Sequence, residues 1–180
     1  MIKKKNTNTS MVEFENLLDV FKESIETDEF KKFQEDFNES ENIFFIGNGG
    51  CHSVATHAAS DVCRLTDKKC YALDNPSYLT SIANDYGYNN IFMRWFEDYA
   101  MKNTNSMVIG FSGSGGSKNV ISTLSFANDK YDFKTCLLSG QKSQSLPEYI
   151  NEVCFDNRYF HVHEILCMLT FYQLVHATGN

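Results

Sequence analysis

Five short apolar runs alternate with segments of helical spacing along this 180-residue chain, and two of those runs end in glycine-rich turns. The runs are Asn42–Gly47 (NIFFIG), Lys68–Leu73 (KKCYAL), Ser106–Phe111 (SMVIGF), Lys134–Gly140 (KTCLLSG) and Asn151–Phe155 (NEVCF). A short run without polar alternation suits a strand buried on both faces, the situation of strands in a parallel sheet covered by helices. The alternation therefore predicts an α/β domain, a doubly wound five-stranded parallel sheet flanked by helices. Ligands in such sheets bind beyond the carboxyl ends of the strands, where the strand order reverses.

Before the first strand, Phe14, Leu17, Leu18, Phe21, Ile25, Phe30, Phe33 and Phe37 recur at helical spacing, and Thr27–Asp28 divides them into two helices. Residues 1–40 thus read as a tail and an N-terminal helical extension suited to oligomer packing, and residues 41–180 as the α/β domain. Further helices are expected after Gly50, from Pro76 at a first helical position, over Asn90–Met101 and Ser117–Ala127, briefly near Leu146–Ile150, and over Phe160–Ala177. The aromatic set Tyr86, Tyr88, Phe92 and Trp95 reads as core or subunit interface.

The net charge of −7, with Lys3, Lys4 and Lys5 the only basic cluster, argues against nucleic acid as a partner. No apolar run approaches the length of a membrane span, and the six cysteines are scattered with no Cys-x-x-Cys pair. Reduced thiols and a cytoplasmic location are expected.

The chemistry concentrates at two strand ends. Gly47-Asn48-Gly49-Gly50 closes the first strand, where the backbone turns and a ligand can approach closely. After the third strand, Ser112, Ser114 and Ser117 surround Gly113, Gly115 and Gly116, and a helix follows at once. Backbone N–H groups at a helix start, flanked by hydroxyls, form a neutral anion cradle. The loop lacks the Gly-Lys-Ser/Thr ending of a nucleotide triphosphate site and the spacing of a dinucleotide fingerprint, so a sugar phosphate is the expected anion.

Gly47–Gly50, the following HSVATHAASD, SIANDYGY (Ser81–Tyr88) and SGSGGSKNV (Ser112–Val120) together resemble the sugar isomerase (SIS) domain, and more closely the phosphoheptose isomerases. The resemblance spans about Asn42 to Val175. It implies conversion of sedoheptulose 7-phosphate to D-glycero-D-manno-heptose 7-phosphate for surface polysaccharide, in a homotetramer with sites at subunit interfaces and, in several members, zinc. It assigns the phosphate to Ser112, Gly113, Ser114 and Ser117. The sugar falls to Asn48, Gly49, Gly50 and Cys51, the last standing where the family usually has Ser. Asn84 and Asp85 match an Asn-Asp-x-Gly motif, with Asp85 a candidate catalytic contact.

The family's His-x-x-x-Glu falls on His57 and Asp61, which share a helix face at i and i+4 and can address one metal or substrate atom. Asp is one methylene shorter than Glu, a shift of about 1 Å that can matter in positioned catalysis. In the last helix, the family's Gln and a distal His eight residues later fall on His163 and Phe171, or on His161 and Leu169, so the distal His is missing. His161 or His52 could replace it. The implied zinc set is His57, Asp61 and His163, three ligands with one open position.

Two readings are open. One is a phosphosugar isomerase with Asp61, His57 and Asp85 as catalytic groups. The other is a SIS binding or regulatory protein that keeps the cradle without turnover, which the missing distal His and the Glu-to-Asp change favour. His57, Asp61 and Asn84-Asp85 favour the isomerase. Cys51 reads as a Ser-like lining residue, or as a reactive thiol if the helix start lowers its pKa.

Overall fold

The computed structural model describes residues 16–100 and 104–178. Two helices, α1 (Leu17–Ile25) and α2 (Asp28–Glu39), precede strand β1 (Asn42–Gly47). The chain then alternates: α3 (Gly50–Leu65), β2 (Lys69–Ala72), α4 (Pro76–Tyr86), a 3₁₀ turn (Tyr88–Asn90) running into α5 (Ile91–Tyr99), β3 (Ser106–Ser112), α6 (Lys118–Tyr131), β4 (Lys134–Ser139), β5 (Asn151–Cys154) and α7 (Phe160–Thr178). The expected helix start at Met11–Glu15, and Met101 of the expected Asn90–Met101 helix, lie outside the described residues.

All five strands are parallel, in the order β2-β1-β3-β4-β5, so the order reverses between β1 and β3. β1 shows why its sequence reads as an unbroken apolar run. Ile43 and Phe45 enter a core with α2, α3 and α7, while Phe44 and Ile46 enter the opposite core with α4, α5 and α6. Burying a side chain of this size contributes about 1.5–3 kcal/mol, so a central strand that fills both cores anchors the sheet. Phe30, Phe33 and Phe37 of α2 belong to the same core as α3 and α7, and the Asn151 amide donates to the Glu29 carbonyl at 2.8 Å. These residues of the expected N-terminal extension are thus part of the packed body.

Local signals place the helix ends. Thr27 Oγ1 accepts the Phe30 N–H at 3.2 Å, capping α2 at the expected division. Asn75 Oδ1 accepts from Ser77 and Tyr78, with Pro76 opening α4. The expected helix near Leu146–Ile150 is instead a turn in which the Ile150 N–H reaches the Pro147 carbonyl. Upstream of it the β4–β5 connection folds onto the buried Glu152 carboxylate, which accepts from Ser139 Oγ, the Ser143 N–H and Lys142.

Helix α7 buries Val162, His163, Leu166, Cys167, Phe171, Leu174 and Val175. Phe171 packs edge-on against Phe45 and Phe111, with ring centroids 5.3 and 5.7 Å away. His163 is fully buried and its Nε2–H donates to the Leu138 carbonyl at 3.1 Å. Burial holds its pKa below the ordinary 6.5, outweighing the carbonyl bond, which favours the charged form. A depressed folded pKa means that the unfolded chain binds the proton first. The stability from the neutral ring is therefore complete above pH 6.5 and is lost as pH falls from there through the folded value. Urea midpoints between pH 5 and 8 should show this acid limb in the native chain and a shallower one in His163→Gln. Equal acid limbs would assign the pH dependence elsewhere.

Candidate active site

The strand order reverses between β1 and β3, and the two glycine-rich turns sit at the carboxyl ends of those strands. The turn after β3 is held by its own serines. Ser112 Oγ, buried, accepts the Ser117 N–H at 3.2 Å and donates to Ser117 Oγ at 2.9 Å, while Ser114 Oγ accepts the Gly116 N–H at 3.2 Å. Gly115 has φ +66°, and a Cβ there would run into the Gln141 carbonyl, so no other residue type fits. The N–H groups of Lys118 and Asn119 open α6, where a helix has no intrahelical acceptor to offer, while the Val120 N–H already reaches the Ser117 carbonyl and Asn119 Oδ1. Phosphate oxygens suit such a site.

The two turns are tied together by a reciprocal amide pair. Asn48 Nδ2 donates to Asn119 Oδ1 at 2.8 Å, and Asn119 Nδ2 donates to Asn48 Oδ1 at 3.0 Å. The Tyr88 hydroxyl also donates to Asn48 Oδ1 at 2.9 Å. Phe92 and Trp95 are core residues as expected, but Tyr86 and Tyr88 are exposed, and Tyr88 reaches the switch-point crevice. Asn119 stands inside the SGSGGSKNV motif without an assigned role; its position one helical residue past Lys118 was the available signal. Tyr88 closes the SIANDYGY stretch, and that membership was the available signal for a role apart from Phe92 and Trp95.

Cys51, the residue after the glycine turn, is buried, with Sγ 3.8 Å from His163 Nδ1. Burial pushes its thiol pKa up, against a bond from the Gly113 backbone, and the Glu164 charge adds to the rise. The thiol is thus a protonated lining group beneath the cradle. A reactive, helix-activated thiol is not what this environment produces.

His57 and Asp61 lie on the outer side of α3 and face α7. His57 Nε2 is 3.3 Å from Asp61 Oδ2, and Arg64 Nη1 is 3.6 Å from Asp61 Oδ1. The α7 residue that meets them is Tyr172: its hydroxyl donates to Asp61 Oδ2 at 3.3 Å and lies 3.3 Å from His57 Nε2. Burial first, then the Asp61 bond and charge, raise the Tyr172 pKa, which keeps the phenol protonated. Glu164, Met168 and Tyr172 share one face of α7 at i, i+4 and i+8. With Gly50, Ser53 and His57 they line a groove of about 470 Å³. A Cβ on Gly50 would fall into the Glu164 carboxylate, so the glycine there admits a side chain of α7 to the start of α3.

These contacts correct the expected alignment of the last helix. Phe171 and Leu169 do not stand opposite His57; Phe171 is in the core, and Tyr172 is the residue in that place. His163 is likewise turned into the core, toward Leu138 and with Cys167 Sγ 3.4 Å from its Nε2, so the expected zinc set of His57, Asp61 and His163 is not assembled. Among the described residues no group of three or more His, Cys, Asp or Glu is placed to hold a metal ion. His57 and Asp61 supply two donors, and a protonated phenol is not a third.

His161 packs beside the rings of Tyr159 and Phe160, and α7 is helical there, so His161 and His163 point different ways. Asn84 and Asp85 are exposed at the end of α4, where the Asn84 amide donates to Asp85 Oδ1 at 2.9 Å. No contact between them and the His57–Asp61 pair is made within the chain. A second concavity of about 490 Å³ follows edge strand β2 beside Arg64, Asp74 and Trp95, and none of the candidate residues line it. The α3–α7 groove is preferred as the reactive region because it gathers titratable groups next to the glycine turn after β1.

No family model matches the chain. It is 41% identical over 105 residues to a phosphoheptose isomerase of Helicobacter pylori strain Shi470, a match covering 55% of this chain and 53% of the relative. It is 31% identical over 125 residues to the phosphoheptose isomerase of Sodalis glossinidius, covering 67% of this chain and 62% of that one. The matched stretch thus spans about half to three-fifths of the length of these curated relatives. The fold matches further: a phosphoheptose isomerase structure from Neisseria gonorrhoeae superposes with TM-score 0.80 at 21% identity, covering 93% of this chain and 95% of that one.

Proposed function

We propose, from this likeness to phosphoheptose isomerases in sequence and fold, that the chain is a phosphosugar aldose–ketose isomerase. The substrate pair is sedoheptulose 7-phosphate and D-glycero-D-manno-heptose 7-phosphate, in the supply of heptose for surface polysaccharide. The observation that carries this reading is the placement of the Ser112–Ser117 cradle and the His57–Asp61 pair on elements joined at one sheet switch point. α3 starts at Gly50 in the sugar-side turn and reaches His57 seven residues on, about 10 Å along the axis at the helical rise.

In this reading the cradle fixes the phosphate through Ser112, Gly113, Ser114, Ser117 and the α6 N-terminus, and Asn48 with Cys51 lines the sugar path. Asp61 is the base: it removes the proton from C1 of the ketose and returns it to C2, while the hydroxyl proton passes from O1 to O2, so the net change moves two hydrogens and the carbonyl. The enediolate oxygen needs a donor while the proton is in transit. His57 Nε2, 3.3 Å from Asp61 Oδ2, is the donor at hand, and the Tyr172 hydroxyl, bonded to Asp61 and 3.3 Å from His57 Nε2, holds the two in place. Asn84 and Asp85 serve as contacts to sugar hydroxyls, with Asp85 a second carboxylate for proton transfer. No step is assigned to zinc.

A phosphosugar substrate and six unpaired cysteines go with a reducing compartment, the cytoplasm. No described helix is long and apolar enough to cross a membrane. Self-association, as a homotetramer, is the reading for the exposed Leu18 of α1 and Phe160 and Ile165 of α7. Equilibrium sedimentation should return a multiple of the 20.6 kDa chain, and a monomer would contradict it.

The decisive experiment follows sedoheptulose 7-phosphate by NMR with purified protein. The native chain should form the aldose. Asp61→Asn should bind the sugar phosphate and fall at least about 100-fold in turnover, the scale of a lost general base. Ser112→Ala with Ser114→Ala should weaken binding about tenfold or more, as expected for two lost hydrogen bonds to a charged ligand. Native-level turnover in Asp61→Asn would remove its catalytic role. Saturable binding without product in the native chain would mark a non-catalytic binding protein or an enzyme of another phosphosugar.

A further inference from the structure

The meeting of α3 and α7 at His57, Asp61 and Tyr172 bears on what this groove can hold. Three separations close a triangle there. The Tyr172 hydroxyl donates to Asp61 Oδ2 at 3.3 Å, His57 Nε2 is 3.3 Å from the same Oδ2, and His57 Nε2 is 3.3 Å from the Tyr172 oxygen. The other Asp61 oxygen faces Arg64 at 3.6 Å. The polar atoms that a cation would need are already turned toward one another.

We propose that His57, Asp61 and Tyr172 form a metal-free hydrogen-bonded triad in which the Tyr172 hydroxyl occupies the place of a third metal ligand and keeps zinc off the pair. A catalytic zinc site has three protein ligands from nitrogen, sulfur or carboxylate donors. His57 and Asp61 are two. The third group on this side of the groove is a hydroxyl that presents its hydrogen to Asp61, taking up the lone pair a metal would use. Glu164, the nearest carboxylate on α7, sits two turns away against Gly50, at the N-terminus of α3. The donor set for zinc in this groove is one side chain short. Tyr172 is a positioning residue for Asp61 and His57 in this arrangement, and the proposal concerns metal binding, so it stands whether or not the substrate is the one proposed above.

The test is zinc titration by calorimetry on full-length protein, stripped with chelator and kept reduced. The set is the native chain, His57→Ala, Tyr172→His, and Tyr172→His combined with His57→Ala. Circular dichroism establishes that each is folded, which the partly exposed position of Tyr172 favours. The native chain should show no zinc site that His57→Ala removes, which also discounts metal held by the exposed Cys63. Tyr172→His should gain one zinc per chain, and the added His57→Ala should abolish it. One zinc per native chain, lost in His57→Ala, would overturn the proposal. So would a folded Tyr172→His that stays zinc-free, because the phenol would then not be what excludes the metal.

Discussion

The seating of the Glu164 carboxylate against Gly50 is where helix α7 meets the start of α3 at the reactive face. A carboxylate at a helix N-terminus meets unpaired N–H groups and the positive end of the helix dipole, an interaction of about 1 kcal/mol. It fits only because residue 50 has no side chain. With the buried face of α7 packed in the core, helical periodicity carries the neighbouring face along α3. Met168 and Tyr172 come round at i+4 and i+8 onto the later turns of α3, and Tyr172 arrives over His57 and Asp61. The same carboxylate adds its negative field to the burial that keeps Cys51 a thiol. The sugar-side turn, the lining thiol and the acid–base pair thus lie along one seam between two helices.

The sheet was legible because its strands are buried on both sides, so β1 and β3 carry unbroken apolar runs and their glycine turns mark the carboxyl ends. The Thr27 and Pro76 signals placed two helix starts for local reasons that need no tertiary knowledge. The last helix was not legible in the same way. It is apolar almost all round, and with no polar stripe nothing in the sequence says which face meets the core. A one-residue change of register turns a helix by about 100°, enough to exchange Phe171 for Tyr172 at the groove. His163 was misplaced for the same reason: a histidine in an apolar helix reads equally as ligand and as core, and its bond to Leu138 is a long-range fact.

The switch point shows a related limit. Its two turns were each visible, but the Asn48–Asn119 pair joins residues 71 apart in the chain. The pair makes the two turns a single polar unit in a crevice that carries few charges of its own. That suits a chain of net charge −7, because amides, hydroxyls and backbone N–H groups hold an anion without requiring a basic surface.

The docking of α7 also gives the site a history in time. Asp61 and Tyr172 are 111 residues apart, and everything from β2 to β5 is synthesised between them. Through that interval α3 already carries His57 and Asp61, while the notch at Gly50 and the far wall of the groove do not yet exist. The acid–base face is therefore completed last, after both cores around β1 and β3 have material to close upon. A chain in which α7 is not docked lacks Glu164 and Tyr172 at this face, so the pocket is complete only with the closing of the body itself.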